Sequence, residues 1–323
     1  MLYNTKLLSV VFIGLLALYT ITKVVNSNKG ERSFRSQIAA VDTAQVQAIV
    51  LYPQIEKQKQ LTLIRSQQQW IAQQDKLQVL AEKGKISGLL KDLRRVSPKR
   101  LVANDQSKWA EYQLTDSLCT RLKLLGSNGQ ELMTLLIGKT GSGESFVRLP
   151  NENEVYAIEG FLAANVNRGF NDWRNQDVLT FNSNLVDKIA FTYSGDSSLT
   201  LQKESSAWKM GEGVVDSSLV AQYLTSISAK RSKDFANDFT PQQQPNFVLQ
   251  LSVKGLTVGG KTVPEIVVQG FEANNEVYIR TSVNPSAIFL GKKSGLYKAI
   301  FKSKSDFIKK EEPDKRADEK ESK

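Results

Sequence analysis

Ile86–Asp105 reads ISGLLKDLRRVSPKRLVAND, and the pattern in this stretch is repeated later in the chain. Its apolar residues fall on one stripe with the spacing of an amphipathic helix that packs on a sheet. The stripe consists of Ile86, Leu89, Leu90, Leu93 and Val96. Ser217–Asp238 reads SSLVAQYLTSISAKRSKDFAND and has a matching stripe. Both stretches continue with Ser, Lys-Arg and Ala-Asn-Asp, so the sequence contains this arrangement twice.

Strand-like segments surround both helices in the same order. The segments before the helices are VQAIVLYP (Val46–Pro53), Leu61–Arg65 and the surroundings of Trp70, and then VDKIAFTY (Val186–Tyr193), Leu199–Lys203 and the surroundings of Trp208. Their β-branched residues and partial alternation predict short antiparallel strands joined by turns. After the helices, Phe146 corresponds to Tyr278 and Val155 to Ala287. The sustained register indicates a tandem duplication of one β-rich unit that carries one main helix.

These patterns predict an α+β fold class. The fold would comprise an N-terminal single transmembrane helix, two tandem β-rich units and a disordered charged C-terminal tail. Each unit would be an antiparallel sheet with one main packed helix. The predicted segments are a transmembrane anchor at 1–25, a stalk at 26–45, a first unit at 46–180, a second unit at 181–308 and a tail at 309–323.

An uncharged segment near the N-terminus, Leu7–Thr22, predicts the anchor. It reads LLSVVFIGLLALYTIT and is flanked by Lys6 and Lys23. As a helix it would be about 24 Å long, somewhat less than the roughly 30 Å hydrocarbon core. Apolar neighbours and snorkelling lysines would extend it. A cleaved signal peptide is the alternative, but no small-x-small cleavage site follows, so we predict an uncleaved membrane contact through residues 7–22.

The composition argues against an enzyme. The 323 residues include no histidine and one cysteine, Cys119, which removes the commonest general base, nucleophile pairs and transition-metal ligand. We therefore predict no catalytic residues, no metal site and no cofactor. The net charge of +10 favours anionic partners. Charge alone is weak evidence for nucleic acid, and we predict no nucleic-acid partner.

Five basic residues cluster around the C-terminal end of the first helix. They are Lys91, Arg94, Arg95, Lys99 and Arg100. Cations at this position complement the helix dipole, so a solvated helix end explains them. The sharper interpretation is a contact site for a protein partner or for anionic lipid. The second helix has no charged residue until Lys230, so such a site would belong to the first unit alone.

Four further features favour structural roles. GKTGSG (Gly138–Gly143) lacks the first glycine of a phosphate-binding loop and predicts a hairpin loop. Trp70 and Trp208 are equivalent strand residues that we expect in the core. Asp105 and Asp238 each follow an Asn, which is ordinary turn chemistry. Cys119 lies in a strand-like segment without a histidine to activate it, which favours a structural thiol.

The order of these motifs resembles the bacterial family called domain of unknown function 4340. The resemblance covers roughly residues 45–310, with the short anchor before it, and includes the strand-strand-Trp opening and the Leu-rich helix that ends in Lys-Arg. It also includes Ile137-Gly138 before the Phe-Val-Arg strand, and Asn171-Asp172-Trp173-Arg174 at the end of the first unit. The family's Tyr-Gly-Leu element stands here as Tyr112-Gln113-Leu114, and the second unit has FTPQQQ instead.

The resemblance implies a membrane-anchored extracytoplasmic protein of Gram-negative bacteria, linked with ABC-type transport systems of the gliding-motility type. It supplies no catalytic residues. We therefore predict a non-enzymatic accessory or scaffold protein whose partner is another envelope or transporter protein. The alternative is a binding module for an anionic or glycan polymer at the cell envelope, with Trp70 or Trp208 exposed.

The predicted location is that of a single-pass inner-membrane protein with a periplasmic domain. The two indications of orientation disagree. Lys23, Lys29, Arg32 and Arg35 follow the apolar segment and would keep the large domain in the cytoplasm. The family resemblance implies the opposite side, and at the level of sequence both orientations stay open.

Overall fold

The computed structural model describes Leu15, Tyr19 and residues 35–194, 197–242, 244–255, 257–258, 261–262 and 265–309. Contacts divide the described chain into two compact units. Unit 1 contains the described residues up to Arg65 together with Gly84–Gly169. Unit 2 contains Ser66–Lys83 and the described residues from Phe170 onward. Strands account for 42% and helices for 20% of the structure, so the protein is mostly β-sheet.

Strands dominate the secondary structure between residues 35 and 169. In chain order they are β1 (Ala39–Ala40), β2 (Ala48–Tyr52), β3 (Leu61–Ser66), β4 (Gln69–Gln74), β5 (Leu77–Leu80), β6 (Arg95–Val96), β7 (Arg100–Ala103), β8 (Thr120–Leu125), β9 (Glu131–Gly141), β10 (Glu144–Arg148) and β11 (Val155–Glu159). The helices are α1 (Lys83–Leu93) and α2 (Leu162–Val166).

The elements that follow residue 169 belong to unit 2. The strands are β12 (Asp177–Thr180), β13 (Val186–Tyr193), β14 (Leu199–Glu204), β15 (Ala207–Met210), β16 (Gly213–Val214), β17 (Ala229–Arg231), β18 (Phe247–Val253), β19 (Thr257–Val258), β20 (Lys261–Thr262), β21 (Glu265–Ala273), β22 (Glu276–Thr281) and β23 (Ile288–Leu290). The helices are α3 (Phe170–Trp173), α4 (Ser217–Ile227) and α5 (Leu296–Ile300).

An antiparallel sheet forms the body of unit 1. Its strands are hydrogen-bonded in the order β3-β2-β8-β9-β10-β11-β7, and β1 pairs separately with β6. In β8, Thr120, Leu122 and Leu124 are buried and alternate with half-buried residues, the pattern of a sheet with one face toward the core. The apolar stripe of α1 is buried at Ile86, Leu89, Leu90 and Leu93, as its spacing predicts.

The sheet of unit 2 has eight strands in the order β16-β15-β14-β13-β18-β21-β22-β23. Helix α4 buries Val220, Tyr223, Leu224 and Ile227 in its core. The hairpin of β4 and β5 also belongs to this unit. The Glu82 N–H donates to Trp173 O at 2.8 Å, and the Asn175 N–H donates to Leu80 O at 2.7 Å.

Both units contain a sheet with the same order of successive elements. The order β3-β2-β8-β9-β10-β11 in unit 1 corresponds to β14-β13-β18-β21-β22-β23 in unit 2. Helix α1 stands between β5 and β6 along the chain, and α4 stands between β16 and β17. This arrangement supports the duplication, which stays a prediction together with the segment boundaries.

The predicted fold class is wrong. Its α+β description overstated the helices, because each unit has one helix of 11 residues beside a sheet of many strands. Its N-terminal transmembrane helix is not supported either. Among the residues that the structure describes, none of the helices has the length and apolar character that crossing a membrane requires.

The predicted membrane contact through residues 7–22 lies outside the described residues except for Leu15 and Tyr19. The location as a single-pass inner-membrane protein depended on that helix and is corrected with it. An uncharged run of this size is shorter than the ~20 apolar residues that a membrane span needs. The predicted tail lies outside the described residues after Lys309.

Candidate functional site

The five basic residues of the predicted contact site lie along one stretch of unit 1. Lys91 is in the last turn of α1, and the Arg94 N–H continues the helix by donating to Leu90 O at 3.0 Å. Arg95 is in β6, whereas Lys99 and Arg100 lie at the start of β7. All five side chains are exposed. The structure nevertheless separates them into two groups with different surroundings.

Lys99 and Arg100 are held by one carboxylate. Lys99 Nζ lies 3.1 Å from Glu144 Oε1, and Arg100 Nη2 donates to Glu144 Oε2 at 2.7 Å. These two hydrogen bonds, that of Arg100 first, lower the pKa of Glu144 below its ordinary value. Glu144 begins β10, and its side chain is almost fully covered. Lys99 and Arg100 therefore neutralise a carboxylate of the sheet.

Lys91, Arg94 and Arg95 form the second group. In the part of the chain that the structure describes, none of the three lies within ion-pair distance of a carboxylate. Arg95 lines a cleft of about 490 Å³ in unit 1, which we call the Arg95–Phe161 cleft. Its walls come from the end of α1, from β6 and from the segment that joins β11 to α2. They include Asp92, Arg95, Val96, Glu159, Phe161 and Leu162.

Phe161 is displayed to solvent on a tightly held turn. Its side chain is 61% exposed, although large apolar side chains usually lie in the core. Gly160 precedes it with φ +96°, and the Gly160 N–H donates to Gly143 O at 2.9 Å. Ser145 Oγ donates to Gly160 O at 2.9 Å and accepts from the Ala163 N–H at 3.0 Å. These hydrogen bonds therefore hold the backbone that places the Phe161 ring at the cleft.

The chemistry of this cleft suits binding. It combines an exposed ring, a free guanidinium and the carboxylates of Asp92 and Glu159. Asn165 Nδ2 donates to Asp92 Oδ2 at 3.5 Å in the cleft wall. Within the described ranges, no three acidic, histidine or cysteine side chains come together as a metal site.

The two tryptophans cannot form an exposed stacking surface. Trp70 is 7% exposed and Trp208 is 4% exposed, as their strand positions predict. The polymer-binding alternative requires one of them on the surface, so it loses the aromatic contacts on which it depended.

The remaining sequence motifs have structural roles. Gly138–Gly141 ends strand β9, and Ser142 and Gly143 form the hairpin turn with φ of 51° and 76°. Asp105 Oδ1 accepts from the Ser107 N–H at 2.7 Å. Cys119 is buried, and loss of solvent raises the pKa of its thiol.

The Tyr112-Gln113-Leu114 element crosses close to β9. Gln113 has φ 56°, a left-handed conformation that glycine adopts without strain, which explains the glycine of the family's Tyr-Gly-Leu element. Tyr112 O accepts from the Lys139 N–H at 3.1 Å. A Cβ atom on Gly138 would lie 2.0 Å from Tyr112 O, so this crossing requires a residue without a side chain.

The sequence patterns did not predict that two arginines would be buried and stacked on aromatic rings. Arg148 in unit 1 stacks at 3.5 Å over Trp109, and Arg174 in unit 2 stacks at 3.5 Å over Phe235. Each is 2% exposed. Arginine is rarely fully buried, so its residue type alone predicts an exposed side chain. Their places in the Phe-Val-Arg and Asn-Asp-Trp-Arg motifs were the available signal.

Comparison with known proteins identifies a family. A family model described as Domain of unknown function (DUF4340) matches residues 74–250, which is more than half of the 323 residues. Neither a curated protein nor a solved structure matches the chain. The chain therefore belongs to the family described as a domain of unknown function, DUF4340, which the order of its sequence motifs predicted.

Proposed function

We propose that this protein is a non-enzymatic accessory protein that binds a protein partner through the Arg95–Phe161 cleft of unit 1. The observation that carries the proposal is an exposed aromatic ring on a rigid turn beside a free arginine. The resemblance of the motifs supports a component of an ABC-type transport or gliding-motility-type system as the partner.

The cleft combines residue types that are typical of the centre of a protein–protein interface. Aromatic residues and arginine are enriched among the residues that contribute most to binding. Phe161 supplies apolar area with few rotatable bonds, and Gly160 and Ser145 hold its backbone in place. Little conformational entropy is therefore lost when a partner covers the ring.

The charges around the cleft indicate what the partner surface carries. Arg95 is the one cation in the lining of the cleft, beside the carboxylates of Asp92 and Glu159, and Lys91 and Arg94 are exposed cations on the same stretch of chain. Lys99 and Arg100 are not available in the same way, because Glu144 already binds both. A partner segment with an apolar side chain beside Phe161 and a carboxylate toward Arg95 would be complementary.

Site-directed photo-crosslinking tests the location of the interface. A photoreactive phenylalanine at Phe161 in the full chain should form a crosslink to a transport-system component in the native cell. The matched control is the same group at Ile55, which is also in unit 1 and is 64% exposed. Crosslinks to the same component from Ile55 alone would contradict the proposal.

Charge reversal then tests the chemistry. Arg95→Glu should weaken the affinity for the captured component about tenfold or more, whereas Lys76→Glu should change it less than about twofold. Lys76 is also an exposed cation, in the turn between β4 and β5. Anionic phospholipid vesicles provide the second arm of the test. If Arg95→Glu abolished binding to vesicles but not to the component, the cleft would be a lipid site and the proposal would fail.

A further inference from the structure

Unit 2 contains a cleft of its own, which is built around the second copy of the Ala-Asn-Asp motif. It has a volume of about 460 Å³, and we call it the Asn237 cleft. Its apolar walls are Phe235, Phe239, Tyr278 and Leu290. Phe239 and Tyr278 stack face to face, with ring centroids 3.7 Å apart and planes 2° apart. Asn237 and Asp238 supply polar groups.

Arg174 contacts two residues of this cleft wall. Its guanidinium stacks over Phe235, and its Nη1 donates to Asn237 Oδ1 at 2.7 Å and to Asn171 Oδ1 at 3.2 Å. Both acceptors are neutral amides. A full positive charge is thus buried one side chain away from the cleft, with no negative charge to balance it.

The lack of a counter-charge is supported by several observations. Arg174 Nε is buried and has no hydrogen-bond partner. No carboxylate of the described residues lies within 4.0 Å of the guanidinium. Burial alone lowers the pKa of Arg174 to about 10. A buried charge without an ionic partner is unfavourable, so an anion that reaches this guanidinium would be bound favourably.

Arg148 of unit 1 is a similarly buried arginine that does have a carboxylate partner. It has the same exposed fraction and the same 3.5 Å stacking distance on an aromatic ring. Its Nε donates to Leu114 O at 3.0 Å, and its Nη2 lies 3.5 Å from Asp116 Oδ1. The two arginines therefore differ in their acceptors, and Arg174 lacks the carboxylate.

We propose that the Asn237 cleft binds a small monocarboxylate with an aromatic or aliphatic body. Its carboxylate would replace Asn237 Oδ1 as the acceptor of Arg174 Nη1, while its body packs against Phe239 and Leu290. Asn237 is exposed, so its side chain can turn toward water. A carboxylate has the planar shape of the amide that it displaces and gives a stronger, charge-assisted hydrogen bond.

The charges of the site favour a single negative charge on the ligand. Arg174 offers one positive charge, and the exposed carboxylate of Asp238 in the cleft wall would oppose a dianion such as phosphate. This proposal concerns unit 2 and does not depend on the proposed interface of unit 1. An experiment can therefore disprove one of the two proposals without affecting the other.

Benzoate is the probe for the test, with uncharged benzamide as the matched control. The measurement is a ¹H–¹⁵N correlation spectrum of arginine Nε groups in the full chain, where buried guanidinium groups are observable. Benzoate should shift the Arg174 Nε signal in a saturable way and leave Arg148 Nε unchanged. No shift with benzoate, or an equal shift with benzamide, would overturn the proposal.

Two variants check the role of charge. Asn237→Asp supplies an internal carboxylate to Arg174 and should weaken benzoate binding about tenfold or more. Asp238→Asn removes the opposing charge at the surface and should tighten binding about threefold at low ionic strength. Thermal melting verifies that both variants fold. Unchanged benzoate affinity in the folded Asn237→Asp variant would show that Arg174 is not the anion receptor.

Discussion

Gly138 illustrates how one residue determines a close approach of two backbone segments in unit 1. The Tyr112 carbonyl lies where a Cβ atom would stand, and Leu114 Cγ would be 3.0 Å from that atom. We expect Gly138→Ala to lower the free energy of unfolding by about 3 kcal/mol, because a backbone carbonyl cannot move aside cheaply. Chemical denaturation of the full chain measures this change.

Gly88 is the control for the same substitution. It lies in the exposed middle of α1, and no atom beyond the neighbouring helix backbone lies within 4 Å of its added Cβ. Gly88→Ala should therefore raise the free energy of unfolding by about 0.5–1 kcal/mol, because alanine favours the helix. Equal effects of the two substitutions would contradict the role given to Gly138.

The basic residues show the limit of prediction from single residues. Sequence proximity placed five cations in one cluster, and all five are indeed exposed. It could not predict that Glu144, 44 residues after Arg100, would bind Lys99 and Arg100 and leave the other three free. Partners that come from distant strands depend on sheet pairing, which no local pattern specifies.

Helix α4 begins with a capping interaction that can be tested at the level of the element. Asp216 Oδ1 accepts from the Ser218 N–H at 2.8 Å and from the Leu219 N–H at 3.4 Å. These hydrogen bonds, together with that of the Ser218 hydroxyl, which has the largest effect, lower the pKa of Asp216. Asp216→Ala should lower the Tm by about 3 °C at neutral pH, because two helix N–H groups lose their acceptor.

The effect of this substitution should depend on pH. A carboxyl whose pKa is lowered by folding stabilises above its unfolded value, 3.8, and this stabilisation is lost as the pH falls through the lower folded value. The Tm difference between wild type and Asp216→Ala should therefore shrink below about pH 4. Glu212→Ala, an exposed acidic residue just before the helix, is the control. A difference that persisted at the lowest pH would exclude a charge-dependent cap.

The helices were predictable at this scale, whereas the overall proportion of helix was not. A stripe at 3.6-residue spacing is a local property, so Ile86, Leu89, Leu90 and Leu93 were identified as a buried face. The fold class depends on how many strands join each sheet. The sheet of unit 2 has eight strands beside one 11-residue helix, and the α+β prediction did not take this proportion into account.

At the scale of the molecule, the hairpin of β4 and β5 precedes most of unit 1 in sequence but is held by unit 2. The Glu82 N–H donates to Trp173 O, and Arg231 forms an ion pair with Glu82. In a fragment of residues 35–169, these partners are missing. We expect the amide hydrogens of residues 77–83 to exchange about tenfold faster in the fragment than in the full chain.

Peptide-resolved hydrogen exchange measures this effect and includes its own control. Residues 120–125 form β8 inside the sheet of unit 1, so their exchange should stay slow in the fragment. Fast exchange in both peptides would mean that unit 1 does not fold alone. Unchanged exchange of residues 77–83 would show that unit 2 does not hold the hairpin.

Residue spacing along the chain was enough to predict the apolar stripes of the two 11-residue helices, and the resemblance of the motifs indicated the family. Each of these is a local or sequential property, which can be read directly. Which charges are neutralised and why Arg174 is buried became visible in the folded molecule alone. Arg174 and Asn237 are 63 residues apart, and Glu82 and Arg231 are 149 apart. Such pairs form only when distant parts of the chain pack against each other.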